Sequence, residues 1–347
     1  MKKFIFMITA ACLVCFGAVK ESAGFDDTDA GVYLWRMIND ARAHPVETIE
    51  KYEIDMERAR AALGDRAWVL ELNNGLPPLA WNKTLADSAY YHAADMIENT
   101  YYDYTSLDGR TIADRIYNAG YDAEKTGENL GMLSFENLYI DSVEAAEKIF
   151  ANMIRDALNP DIDHPANIFS IDMTQIGVSF TSAVFSWENI PQNVYLATMD
   201  FARPVEQKPC LMGNIYFLNK EDDLNQEEGA GTIEESFTEE RSPEENSSME
   251  SSLSGKSAMP MQSEWILEQP VQGVLYLDYM NGEEPVAVEI GNLGAFQLEI
   301  PLNQYFMLSL YDNEFNRIKA VYGLGLNINQ VLDIQIVRQM DDIEIVQ

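Results

Sequence analysis

Apolar residues recur at helical spacing through the first part of the chain and alternate through the rest. In GVYLWRMINDARAHP, Val32, Trp35, Ile38 and Arg42 fall on one stripe that His44-Pro45 breaks. The segment from Pro45 restarts as a helix, with Pro45 in its first turn and Gly64 as its stop. After the turn-rich NNGLPP, Asn82 is placed to cap a helix whose inner stripe is Leu85, Ala86, Ala89, Ala93, Met96 and Ile97. Further helices are predicted over Thr111 to Asn118, ended by Gly120, and from Ser142 to about Ala157, with Ala145, Ala146, Ile149, Phe150 and Met153 inward. The pattern then changes. Gln175 to Phe185 and Asn193 to Phe201 are rich in β-branched and aromatic residues and read as an antiparallel hairpin around SWENIPQ.

Beyond Pro204 the interval from Glu221 to Glu250 is dense in Asp, Glu, Ser and Gly and poor in apolar residues. Such a stretch cannot bury enough surface to offset chain entropy, so a largely disordered linker is expected over 206–262. From Trp265, short alternating runs return: VQGVLYLDY, the turn Asn281-Gly282, PVAVEIG, GAFQLEI, QYFMLSLYD and VLDIQIV. These predict a small β-sandwich over 263–347, after an α+β unit over 25–205.

At the other end, Lys2 and Lys3 precede the apolar run Phe4 to Val19 and the small-residue site Ser22-Ala23-Gly24. This reads as a signal peptide over 1–24, with export to the periplasm or beyond. Its apolar run is shorter than the roughly 20 residues of a spanning helix, and no later segment is long and apolar enough. Cys12 and Cys15 raise a lipoprotein alternative, but the residues before them suit lipid attachment poorly. After cleavage only Cys210 remains, so neither an intramolecular disulfide nor a cysteine zinc cluster is expected. A net charge of −34 makes nucleic acid an unlikely partner, because phosphate backbones require clustered Lys and Arg.

Read in order, Ile38-Asn39 with Arg42 and Pro45, LPPLAWNKTLADSAYYHAADM, YTSLDGRT, Gly127-Glu128-Asn129-Leu130, HPANIF and IGVSF resemble the bacterial branch of the CAP (SCP-like, cysteine-rich secretory, pathogenesis-related) superfamily. The resemblance spans Gly31 to Ala202 and implies a three-layer α-β-α sandwich. The tail is similar, more loosely, to carboxypeptidase-regulatory-like or SdrD-type β-modules. Metal-binding CAP domains present two His and two acidic side chains in a central cleft, a sensible zinc set. By resemblance, this chain places Tyr104 at the first His, Glu128 at the first acid, Asn152 at the second acid and His164 at the second His. A phenol is a poor ligand at neutral pH and Asn carries no charge, so half the set remains.

Glu128 and His164 are therefore the candidate metal or acid/base pair, if Asp161 or Asp163 leans in. The structural alternative has Glu128 bracing a loop through backbone hydrogen bonds and His164 satisfying buried polar groups beside Tyr104. His44 and His92 read as packed or solvated residues, and Cys210 has no nearby His for nucleophilic catalysis. Asp222, Asp223, Asn225, Glu227 and Glu228 offer oxygen ligands of the kind calcium takes, without EF-hand spacing. Trp81, Tyr90, Tyr91, Tyr101, Tyr102 and Tyr104 serve either as core or as the lining of an apolar or peptide groove. Three functions fit: a non-enzymatic binding module for a lipid or an envelope or host protein, a metal-assisted hydrolase or peptidase using Glu128 and His164, and a surface protein with a spacer linker.

Overall fold

The computed structural model describes residues 29–73, 75–135, 140–162, 166–187, 190–206, 208–219, 274–288, 290, 294–300, 302–311, 317–326, 328–332, 334–338 and 343–344. The segment read as a signal peptide, His164, Asp163 and the acidic run with its calcium candidates lie outside the described residues.

Helix α1 (Asp29–Ala43) buries its predicted stripe, Arg42 included. The Arg42 guanidinium donates to the carbonyls of Pro77, Ile168 and Ser170, which explains how a cation sits on an apolar stripe. The run after Pro45 forms two helices rather than one, α2 (Pro45–Lys51) and α3 (Met56–Leu63). Glu53 adopts positive φ between them, and Asp55 caps α3 by accepting from the Arg58 N–H. A 3-10 turn (Gly64–Glu71) leads to the short strand β1 (Ala80–Trp81).

Helix α4 (Lys83–Asn99) is capped by Asn82, whose side chain accepts from the Leu85 N–H. Helix α5 (Ile112–Asn118) opens on a capping box between Thr111 and Asp114. Strand β2 (Ala123–Phe135) follows, then α6 (Ser142–Ala157) with all five predicted inward residues buried. The hairpin β3 (Gln175–Trp187) and β4 (Ile190–Pro204) is longer than predicted, pairing as far as Trp187 with Ile190.

The sheet order is β1-β3-β4-β2. On one face, Ala93 and Met96 of α4 meet Leu130 and Leu196, and Ile116 of α5 packs beside Leu85 and Ala202. On the other face, α1 and α6 pack on Ile176, Val178, Ala197, Met199 and Phe201. Three layers result, in agreement with the expected α-β-α arrangement. Two glycines permit the close approach. A Cβ on Gly177 would lie 1.9 Å from the Ala86 nitrogen of α4, and one on Gly131 would lie 2.4 Å from the Ile149 side chain of α6.

A second unit, all β among the described residues, begins earlier than composition suggests. Strand β5 (Cys210–Asn219) falls inside the stretch expected as junction and linker. Among the described residues it nevertheless pairs only with later strands: β8 (Ala295–Glu299), β11 (Gln330–Val331) and β12 (Ile334–Arg338), the last also carrying β13 (Ile343–Glu344). The opposing sheet has the order β10-β9-β6-β7, built from β6 (Val274–Asp278), β7 (Val286–Val288), β9 (Tyr305–Tyr311) and β10 (Arg317–Leu324). Leu211, Ile215, Leu275, Leu277, Phe296, Phe306, Leu308 and Leu310 form the core between them. The acidic segment thus connects two strands of this unit.

The two units touch directly. The Gln297 amide accepts from the Trp81 N–H at 2.6 Å and donates to the Trp81 carbonyl at 2.7 Å, continuing the edge of β1. Asn329 accepts from the Cys210 N–H and donates to the carbonyls of Pro78 and Thr174.

Candidate functional site

Ionisable side chains inside a sheet-and-helix core are costly in their charged forms unless paired, and four of them meet between α4, α5 and the sheet. Glu128 of β2 lies directly opposite Asp200 of β4, which in turn lies opposite Gly177 of β3. Residues directly opposite share a face of the sheet, so both carboxylates turn toward α4. Arg115 of α5 grips Glu128 with one nitrogen, Nη2, at 2.9 Å from Oε1 and 2.7 Å from Oε2. Its other terminal nitrogen donates to the carbonyls of Tyr104 and Arg110 and to Ser106 Oγ. From α4, His92 Nδ1 stands 2.8 Å from Glu128 Oε1.

Burial sets the protonation of this group. Desolvation pushes the Glu128 carboxyl up to about 7, while Arg115 pulls it back toward the ionised form. Asp200 is fully buried, with Ser88 and Glu128 beside its carboxyl as hydrogen-bonding neighbours, neither in ideal geometry. Desolvation and then the Glu128 charge raise its carboxyl well above the ordinary range. Arg115 can neutralise only one of the two carboxylates, which favours a proton held within the pair. His92 is held down at about 4 by burial and by Arg115, so its ring is neutral and its Nδ1–H donates to Glu128. Its Nε2 is left without a partner, as is Thr198 Oγ1 nearby.

Of the residues expected in the cleft, Tyr104 comes to this group and Asn152 does not. Tyr104 gives its carbonyl to Arg115, and burial together with the Glu128 charge raises its phenol. Asn152 is exposed on α6. One turn further on, Asp156 is the acidic side chain whose charge reaches Tyr102 and Tyr104. Asp161 points elsewhere, in an exposed ion pair with Arg58. Glu128 braces the fold through side-chain partners rather than through the backbone hydrogen bonds expected of it. His44 pairs with Asp40 on α1, and Cys210 is buried in β5 with its thiol pushed up to about 12.

The Glu128 corner does not fit a divalent cation. Both carboxylate oxygens are engaged by a guanidinium, and that positive charge would oppose a metal at the same oxygens. Among the described residues no group of three or more His, Cys, Asp or Glu side chains is arranged to hold a metal ion. Sequence reading did not single out Arg115 or Asp200. The signal for Asp200 was present: Val194, Leu196, Thr198, Asp200 and Ala202 form the alternating stripe of β4 that faces α4, and an acid on such a stripe requires a partner.

Residues 35–188 match the model of the cysteine-rich secretory protein family, CAP. Over 98 residues the chain is 28% identical to the uncharacterized membrane protein YlbC of Bacillus subtilis, covering 28% of this chain and 27% of that one. The chain thus spans about a quarter of the length of this curated relative. Among solved structures, an extracellular protein containing a SCP domain from Bacillus anthracis is 26% identical, covering 37% of this chain and 34% of that one at a TM-score of 0.26. An outer surface protein of Borrelia burgdorferi is 18% identical, covering 44% of this chain and 96% of that one, also at 0.26. No described helix is long and apolar enough to cross a membrane. The family match falls on the three-layer unit, so it is the first folded part of this chain that resembles the CAP (SCP) family.

Proposed function

We propose that the chain is an exported CAP-domain protein that binds a lipid or an envelope or host protein and performs no catalysis of its own. The observation that carries this reading is the state of Glu128, which is 3% exposed and held by Arg115 and His92. A general base must reach the proton it removes, and this carboxylate is sealed beneath α4 and α5. The reading as a metal-assisted hydrolase using Glu128 with His164 loses its first ligand for the same reason. A spacer that holds two bodies apart is disfavoured by the Gln297 and Asn329 contacts between the units. The β-unit, with its looser likeness to carboxypeptidase-regulatory-like and SdrD-type modules, then presents or anchors the CAP domain. Export rests on the charged and apolar leader.

The test is zinc calorimetry on the mature chain alongside hydrolysis of a fluorogenic casein. No zinc heat and no cleavage are expected. Micromolar zinc binding, or cleavage abolished by Glu128→Ala, would overturn the reading. Flotation with phosphatidylcholine and phosphatidylglycerol vesicles separates a lipid partner from a protein one.

A further inference from the structure

In the second unit, the sheet β10-β9-β6-β7 turns one face to the core and leaves the other without a covering layer among the described residues. Register defines that outer face. Phe306, Leu308 and Leu310 of β9 point to the core, so Tyr305, Met307, Ser309 and Tyr311 point away. Their cross-strand neighbours are Tyr276 and Ala320 beside Ser309, Tyr322 beside Met307, and Leu324 beside Tyr305. Four tyrosines therefore share one face. Tyr305 and Tyr322 are 68% and 65% exposed, and Tyr276 meets Tyr311 edge to face at 5.6 Å.

Two further observations say what such a face accepts. On a chain with a net charge of −34, the formal charges on this side of the described strands are Asp278 and the bulged Arg317, near opposite ends. Lys319 pairs with Leu310 and so belongs to the core side. A nearly uncharged patch gives no purchase to a polyanion or to a strongly charged partner. At its centre Ser309 is 2% exposed, and its hydroxyl finds no hydrogen-bond partner. A buried hydroxyl in that state requires an explanation. A floor with one free hydroxyl, walled by ring faces and phenol edges, matches a neutral sugar ring, which has an apolar C–H face and a rim of hydroxyls.

We infer that the tyrosine face of the β10-β9-β6-β7 sheet is a binding platform for a neutral polysaccharide, with Tyr276, Tyr311 and Tyr322 stacking on sugar rings and Ser309 bonding a ring hydroxyl. This site is independent of the CAP domain. The experiment is electrophoresis of the full chain through native gels containing hydroxyethylcellulose, barley β-glucan or xylan, with sedimentation on insoluble chitin. Binding to at least one of these glycans is expected. Tyr322→Ala and Tyr276→Ala are expected to weaken it about tenfold, as loss of an aromatic anchor does, whereas Tyr322→Phe retains most of it. Because Tyr322 is exposed, its variants should keep the unfolding midpoint of the parent, and they remain informative if Tyr276→Ala fails to fold. Absence of binding to all four glycans, or binding that survives both alanine substitutions, would overturn the inference. Concentration-dependent self-association lost in Tyr322→Ala would do the same, since the face would then belong to a second copy of the chain.

Discussion

Asp200 is the side chain whose replacement reports most directly on the buried charge group. Asn has nearly the same shape and never ionises, so Asp200→Asn removes one carboxyl of the pair while leaving the packing under Gly177 and α4 in place. A carboxyl raised in the folded state favours folding fully below its unfolded value, and that contribution is lost as pH rises through the folded value. Glu128, lifted to about 7 from 4.5, and Asp200, lifted from 3.8, both act in this sense. His92, lowered from 6.5 to about 4, acts oppositely, because the unfolded chain takes up its proton first as pH falls. Between about pH 4.5 and 6.5 His92 offsets one of the two carboxyls, and above 6.5 both carboxyls act unopposed.

Stability of the parent should therefore decline already below pH 6.5 and more steeply just above it, with a slope of about 1.4 kcal/mol per pH unit for each proton retained by the folded state alone. The variant should flatten that slope. Its absolute stability is a poorer readout, since the buried Asn amide costs about 1–3 kcal/mol if left unbonded. Urea midpoints between pH 6 and 8.5, at constant salt, give both slopes. An Asp200→Asn profile parallel to the parent would refute the assignment of a shared proton to the Glu128 and Asp200 pair.

Three other outcomes follow from the same contacts. Arg115→Ala should cost about 3–5 kcal/mol in chemical denaturation, because it leaves Glu128 buried without its cation. Gly177→Ala should destabilise by about 1–3 kcal/mol or prevent folding, since its Cβ would strike the α4 backbone, and a thermal melt decides between these. Asn329→Ala removes three hydrogen bonds, two of which join the units, and should cost about 2–3 kcal/mol, with faster proteolysis near Pro78 and Cys210.

Helical stripes were legible wherever the apolar spacing was clean. Ala145 to Met153 and Leu85 to Met96 are buried as their periodicity requires, and Asn82 caps as its position implies. Strand β2 was not legible, because Gly127, Glu128, Asn129 and Gly131 are poor strand formers, chosen for what presses on them. A Cβ at Gly127 would meet Asn167, and Gly131 lies under Ile149. Glu128 stood out in the sequence through its motif, but its partners did not. Arg115 and His92 reach it from two successive helices, and only the packing of α4 and α5 on one sheet face brings them together.

The placement of β5 changes what the acidic segment does. The chain leaves the second unit after Asn219 and re-enters it at Val274, so both ends of residues 220–273 are fastened to the same body. A protease cut between those points would leave an amino-terminal fragment holding the strand on which β8, β11 and β12 assemble. The two fragments would stay interlocked under native conditions and part only in denaturant. The segment is an internal connection of one unit, and cutting it alters the connectivity of the chain without releasing either half.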